Sequence, residues 1–125
     1  MPADARHGDG RAAETLAALH LRERGLAIVE RNVRSRHGEI DLVARDGATL
    51  VFVEVRLRRP GRYGGAAASI TGAKRTRMIA AAREYLARLP RTPPCRFDVV
   101  LLDGLDAARV DWLRDAIDVS GDEGG

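Results

Sequence analysis

A mixed α/β domain, with a central mixed sheet of four to five strands flanked by helices, is predicted by three features of this 125-residue sequence. Two alternating apolar runs flank Asp46-Gly47, a dipeptide that readily takes the positive φ of a tight hairpin turn. Stretches of helical period stand on either side of that hairpin. RFDVVLLDG, residues 96 to 104, is a short, near-continuous apolar run, as expected of a strand covered on both faces. The order is helix, three strands, helix, strand, or αβββαβ. Its last strand–helix–strand step is expected to be a right-handed crossover between parallel strands.

The first helix is expected from about Gly10 to Arg24, with Asp9 as a candidate cap and Gly25 placed to stop it. At 100° per residue Glu14, Ala17, Ala18 and Leu21 share one stripe, so an acid sits in an otherwise apolar face. It either favours the helix dipole from the first turn or points into a site. Residues 26 to 34, LAIVERNVR, form the first strand, and the hairpin supplies the second and third. RRPGRYGGAAAS is a basic, glycine-containing loop, in which Tyr63 either packs the loop or stacks on a base. The second helix is expected from about Thr71 to Leu89, with Ile79 and Leu86 inward, Lys74, Arg75, Arg77, Arg83 and Arg88 largely outward, and Pro90, Pro93 and Pro94 to end it. Residues 109 to 119 are ambiguous between a strand and a helical turn, with Trp112 read as core. A single domain therefore spans 10–119, between disordered ends at 1–9 and 120–125.

Within the hairpin, Val51, Val53, Val55 and Leu57 share one face, while Leu50, Phe52, Glu54, Arg56 and Arg58 share the other. With the turn centred on Asp46-Gly47, Asp41 stands across from Phe52 and Glu39 across from Glu54. Asp41 and Glu54 are then diagonal neighbours, roughly 7 to 8 Å apart at Cα. Two carboxylates about 5 Å apart repel by on the order of 3 kcal/mol at an effective dielectric near 20. Something positive should stand between them. A divalent cation with oxygen ligands is one candidate, and Arg56, as a plain salt bridge, is the other.

Composition bounds the function. The apolar fraction is 45% and the charged fraction 31%, and no run of about 18 apolar residues suggests a membrane span. MPADARHGDG has no apolar signal-peptide core, so a cytoplasmic protein is expected. Cys95 is the single cysteine and, with the three histidines, shows no zinc-ligand spacing; it is read as a buried or idle thiol. Net charge is only +3, yet Arg56 to Arg91 holds ten basic residues against one acid, a local +9 beside −6 elsewhere. That separation points to a surface for a polyanion, against the simpler reading of a solvated helix face. Lys74 is the one lysine among 21 basic residues, so arginine is favoured throughout.

The element order, the acid in the first helix and Asp41-x₁₂-Glu54-x-Arg56 on the hairpin resemble the PD-(D/E)XK nuclease superfamily, of restriction-endonuclease-like fold. More closely, GRAAETLAALHLRERGLAIVERNVRSRHGEIDLVARDGATLVFVEVRLR, with the later AKR and RFDVV, is similar to the YraN family of small bacterial proteins, over about residues 8 to 105. The resemblance implies that Asp41 and Glu54 hold Mg²⁺ or Mn²⁺, with Glu14 as an added ligand from the first helix and the Val55 carbonyl as a further oxygen. Glu39, absent from a minimal two-acid site, is expected just behind the ligands. Arg56 stands where the superfamily motif has lysine; it can stabilise a phosphorane electrostatically but cannot act as a base, because it stays protonated. Lys74 either supplies an amine to the site or binds phosphate.

The implied function is a Mg²⁺-dependent endonuclease that hydrolyses phosphodiester bonds of DNA, rather than RNA, or of a branched nucleic acid. Asp41, Glu54 and Arg56 would be its catalytic residues, and Arg58, Arg59, Arg62, Lys74, Arg75 and Arg77 would track phosphates. The alternative is a binding module that keeps the fold and basic surface but has lost hydrolysis. A third reading is an interaction protein whose acids merely pair with arginines. A homodimer would suit an enzyme that cuts two strands, although no stretch of sequence marks an interface.

Overall fold

The computed structural model describes the backbone of residues 2–58, 72–105 and 109–117, and the side chains of 10–57, 72–105 and 109–117. In chain order the elements are α1 (Pro2–Glu23), β1 (Ala27–Ser35), β2 (Gly38–Asp46), β3 (Thr49–Arg58), α2 (Gly72–Ala87), β4 (Cys95–Asp103) and β5 (Val110–Leu113). The five strands form one sheet in the order β1-β2-β3-β4-β5. Only β3 and β4 pair in parallel, across the α2 crossover; the other neighbours are antiparallel. The expected mixed sheet flanked by helices is therefore present, and the ambiguous segment after residue 109 resolves as an edge strand.

Each helix covers one face. Ala13, Ala17, Ala18 and Leu21 of α1 pack on Leu42, Ala44, Val51, Val53, Val100 and Leu102. On the other face Met78, Ile79, Ala81, Ala82 and Tyr85 of α2 meet Val43, Leu50, Phe52, Phe97 and Val99. Phe52 is fully buried and anchors α2, with its ring edge-on to Tyr85 at 5.8 Å and tilted against Phe97 at 5.3 Å. The alanines let α1 approach the sheet closely. The buried stripe of α2 repeats at three and four residues, and one turn before Met78 the same stripe carries Lys74. The stripe of α1 likewise carries Glu14 one turn before Ala17 and Ala18. Each helix thus delivers one ionisable side chain to the sheet.

Helix α1 begins at Pro2, ahead of the expected Gly10, so Asp9 lies inside it and is not its cap. Proline suits a first helical position because its φ is already helical and its missing N–H would have had no partner there. The other end is as expected. Gly25 takes φ +97°, its N–H donates to the Arg22 carbonyl at 3.0 Å, and Leu26 N–H donates to the Leu21 carbonyl at 3.0 Å. These two bonds satisfy carbonyls that the helix end would otherwise leave open.

The hairpin register differs from the expected one. Asp46 pairs with Thr49 and Leu42 with Val53, so the turn is centred on Gly47-Ala48. Gly47, at φ +60°, is the first central residue of that turn, a place where glycine is at no steric cost. The shift is by two residues, so it preserves the faces but places Asp41 level with Glu54 and no longer with Phe52. Ile40 departs from the expected alternation: it packs with Val33 and Val43 on the α2 side, while Leu42 and Ala44 face α1. β2 therefore changes course next to Asp41.

At the far side of the sheet Asp98 is wholly buried. Arg96 Nε donates to both of its oxygens (3.0 and 3.2 Å), Trp112 Nε1 donates to Oδ2 (2.8 Å), and Asp115 N–H donates to Oδ1 (2.8 Å). Arg96 also pairs with Asp46 at 3.0 Å, which ties the hairpin turn to β4. Trp112 is half-buried beside the α1-side core, as its reading as core implied. Cys95, expected to be buried or idle, is exposed at the start of β4.

Candidate functional site

Pairing between β2 and β3 stops at Leu42 and Val53, and the site lies where the strands part. The next β3 donor, Val55 N–H, is taken by Asp41 Oδ2 at 2.9 Å, so a carboxylate replaces a carbonyl in the ladder. Asp41 is half-buried at this seam, whereas Glu54 is 2% exposed. Glu54 projects to the α2 side, following the alternation of Leu50 and Phe52. There Lys74 of α2 forms a close ion pair with its Oε2, and Arg56 Nη1 stands 3.6 Å from the same oxygen.

From the α1 side comes Glu14. Its carboxylate faces β1: Arg31 Nη2 lies 3.9 Å from Oε1 and donates to Thr15 Oγ1 at 3.0 Å. Oxygens of Glu14, Glu39 and Asp41 all lie within 4.8 Å of one another. Burial pushes the Glu14 carboxyl above its ordinary range, against the pull of Asn32 and Arg31 and with the added repulsion of Glu39. Asp41 is pushed up to about 8, first by burial and then by the charge of Glu54, despite the opposing bond from Val55 N–H. At neutral pH the seam therefore retains a proton between carboxylates that would repel if all were ionised.

These residues fit a small divalent cation. Oxygens sharing one Mg²⁺ stand about 2.1 Å from it, hence roughly 3 to 4.2 Å from each other, so the three acids need shifts of only about half an ångström. Glu14 Oε1 is buried with no hydrogen-bond partner and is the atom a cation would satisfy. Glu39, Asp41 and Glu54 open into a cavity of about 640 Å³, also lined by Arg36 and His37 of the β1–β2 turn and by Lys74 and Arg77 of α2. One wall is anionic and the opposite one cationic.

The family model described as "Uncharacterised protein family UPF0102" matches residues 13–102. The chain belongs to the UPF0102 family. A UPF0102 protein of Nitrosomonas europaea is 50% identical over 111 residues, covering 89% of this chain and 94% of the relative. Those of Ralstonia pickettii and Cupriavidus taiwanensis are 55% and 56% identical over 115 residues, covering 88% and 90% of this chain and 90% and 85% of theirs. The UPF0102 match runs from the middle of α1 through β1, β2, β3 and α2 into β4, and so includes every acid at the seam.

The structure brings Asp41, Glu54, Glu14 and Arg56 together, but in an arrangement the sequence did not indicate. Glu39, expected behind the ligands, lies among them with Glu14 and Asp41. Lys74, expected either to track phosphate from a largely outward position or to bring its amine to the site, turns inward to Glu54 because it continues the buried stripe of α2. Arg77 is exposed at the cavity rim, and Arg75 is half-buried outside the cavity lining. The side chain of Arg58, and Arg59, Arg62 and Tyr63 entirely, lie outside the described residues, as does the 120–125 tail. Arg31 and Asn32 were not singled out from sequence; within LAIVERNVR nothing separates them from other polar strand residues. Among the described residues no helix is long and apolar enough to cross a membrane.

Proposed function

We propose that this UPF0102 chain is a metal-dependent phosphodiesterase of endonuclease type acting on DNA, in which Asp41, Glu54 and Glu14 hold Mg²⁺ or Mn²⁺ with Glu39 beside them. The observation that carries this reading is the seam itself. The carboxylates of Glu14, Glu39 and Asp41 converge where two strands part, Glu54 stands next to Asp41, Glu14 has a buried oxygen without a hydrogen bond, and cations stand across the cavity that Glu39, Asp41 and Glu54 line. A bound Mg²⁺ would supply Lewis acidity and lower the pKa of a water beside the scissile phosphate.

The chain's own residues do the rest. Arg56, permanently charged and next to Glu54, stabilises negative charge growing on the phosphoryl oxygens. Lys74 holds Glu54 in place from α2 and presents an ammonium to the same cavity. Arg36 and Arg77 at the rim receive flanking phosphates, and the rest of the basic stretch extends that track. Asp41, braced by Val55 N–H, would hold the cation through its carboxylate once deprotonated.

A binding module without hydrolysis is the second reading, and one observation favours it: Lys74 and Arg56 already answer the charge of Glu54 without a metal. A panel of duplex, single-stranded and branched DNA and RNA, with Mg²⁺ or Mn²⁺, separates the two. The enzyme reading expects metal-dependent cleavage that chelator stops and that Asp41→Ala and Glu54→Ala abolish. Cleavage surviving both substitutions would mark a contaminant and sink it. A silent wild type with an active Arg56→Lys variant would favour the binding module. Either reading expects affinity to fall with salt, with a log–log slope of about −0.9 per phosphate neutralised on duplex DNA.

A further inference from the structure

At one end of the cavity the β1–β2 turn rests on α2. A side chain at Gly38 would meet Arg77 Cβ at 3.6 Å, so the bare backbone of the turn lies against that helix. One residue earlier, His37 Nε2 stands 3.8 Å from Glu84 Oε2, two turns further along α2. Within the turn, the Ser35 hydroxyl accepts from His37 N–H at 3.0 Å and donates to the Gly38 carbonyl at 3.2 Å. The turn is thus tied to itself and seated on the helix, and it walls off that end of the cavity.

The wall is basic. Arg36, His37 and Arg77 line the cavity, whereas Glu84 does not. Arg36 and Arg77 have no ion pair among the described residues, while Lys74 and Arg56 are engaged with Glu54. Two guanidiniums and an imidazole therefore face a closed end. An internal phosphodiester carries one negative charge, and its strand must continue on both sides. A terminal phosphate monoester carries about −1.5 to −2 charges at neutral pH, offers three acceptor oxygens and continues on one side only. Guanidiniums bind such a group through short, charge-assisted hydrogen bonds.

We propose that Arg36, His37 and Arg77 form a subsite for the terminal phosphate of a nucleic-acid strand. This rests on the reading that the cavity takes nucleic acid and adds which kind of strand it prefers. The flanking phosphate that Arg36 and Arg77 receive is then the last one. The strand runs back from the turn past Glu39, Asp41 and Glu54, which meet a bond close to its end.

Anisotropy titrations of the full chain, in chelator and again in Ca²⁺, test this with one single-stranded oligodeoxynucleotide in three forms: 5′-phosphorylated, 3′-phosphorylated, and with hydroxyls at both ends. At least one phosphorylated form should bind about 10-fold or more tightly than the hydroxyl form, the gain expected of one charge-assisted hydrogen bond. Which form gains gives the polarity of the bound strand. Arg36→Ala and Arg77→Ala should each bring that ratio toward one, with melting temperatures like wild type because both residues are exposed. Equal affinity for all three forms, or a preference that both substitutions leave intact, would overturn the terminal-phosphate subsite while nucleic-acid binding stands. No binding of any form under either condition would overturn the nucleic-acid reading and the subsite together.

Discussion

Two acids in the same sheet, Asp98 and Asp41, have opposite surroundings. Asp98 is fully enclosed, and its oxygens are met by an arginine, an indole N–H and a backbone N–H. Asp41 receives one backbone N–H and otherwise faces the carboxylates of Glu54, Glu14 and Glu39. The first arrangement is complete without a ligand and joins β4, β5 and the segment after β5. The second stores repulsion that a proton or a cation relieves. The donors around an acid decide whether its charge is satisfied.

The largest effect expected from this contrast is on stability. Asp98→Ala leaves the Trp112, Asp115 and Arg96 Nε donors without their acceptor and should cost about 3–5 kcal/mol by urea denaturation. Asp41→Asn should be as stable as wild type or more so, since it makes permanently neutral a group the seam already holds protonated and leaves an oxygen to accept from Val55 N–H. Equal losses in the two variants would erase the distinction.

A second effect follows pH. The folded Asp41 carboxyl titrates at about 8, above its ordinary 3.8, so folding favours its protonated form. Its stabilising contribution is complete below pH 4 and is lost as pH rises through 8. In chelator, the melting temperature of Asp41→Asn minus that of wild type should therefore grow from pH 5 to pH 8. Added Mn²⁺ should stabilise wild type increasingly over the same range. A flat difference would mean that Asp41 is not the retained proton's site. At the small end, Arg109 pairs with Asp103 at 3.4 Å on the surface, and Arg109→Ala should change stability by less than about 0.5 kcal/mol.

Much of the architecture was legible because period and punctuation agree: alternating valines in β3, a helical stripe in α2, glycine at the end of α1. The hairpin register was not, because Asp46-Gly47 and Gly47-Ala48 both offer Gly47 to the turn and differ by a two-residue shift that preserves the faces. Asp41 and Glu54 could be marked as partners from alternation alone. The positions of Lys74 and Glu39 could not, since they depend on how α2 settles on Phe52 and on β2 parting from β3 beyond Leu42. The Asp98 network had a visible trace, one acid inside RFDVVLL, but its donors come from β5, whose type the sequence left open.

The substitution of a carboxylate for a carbonyl in the β2–β3 ladder has a spectroscopic consequence. The Val55 amide is tethered to Asp41, so its nitrogen and proton frequencies should follow whatever occupies that carboxylate. Proton, metal and bare charge would then each give this one backbone signal its own position, making Val55 a built-in gauge of the seam's state.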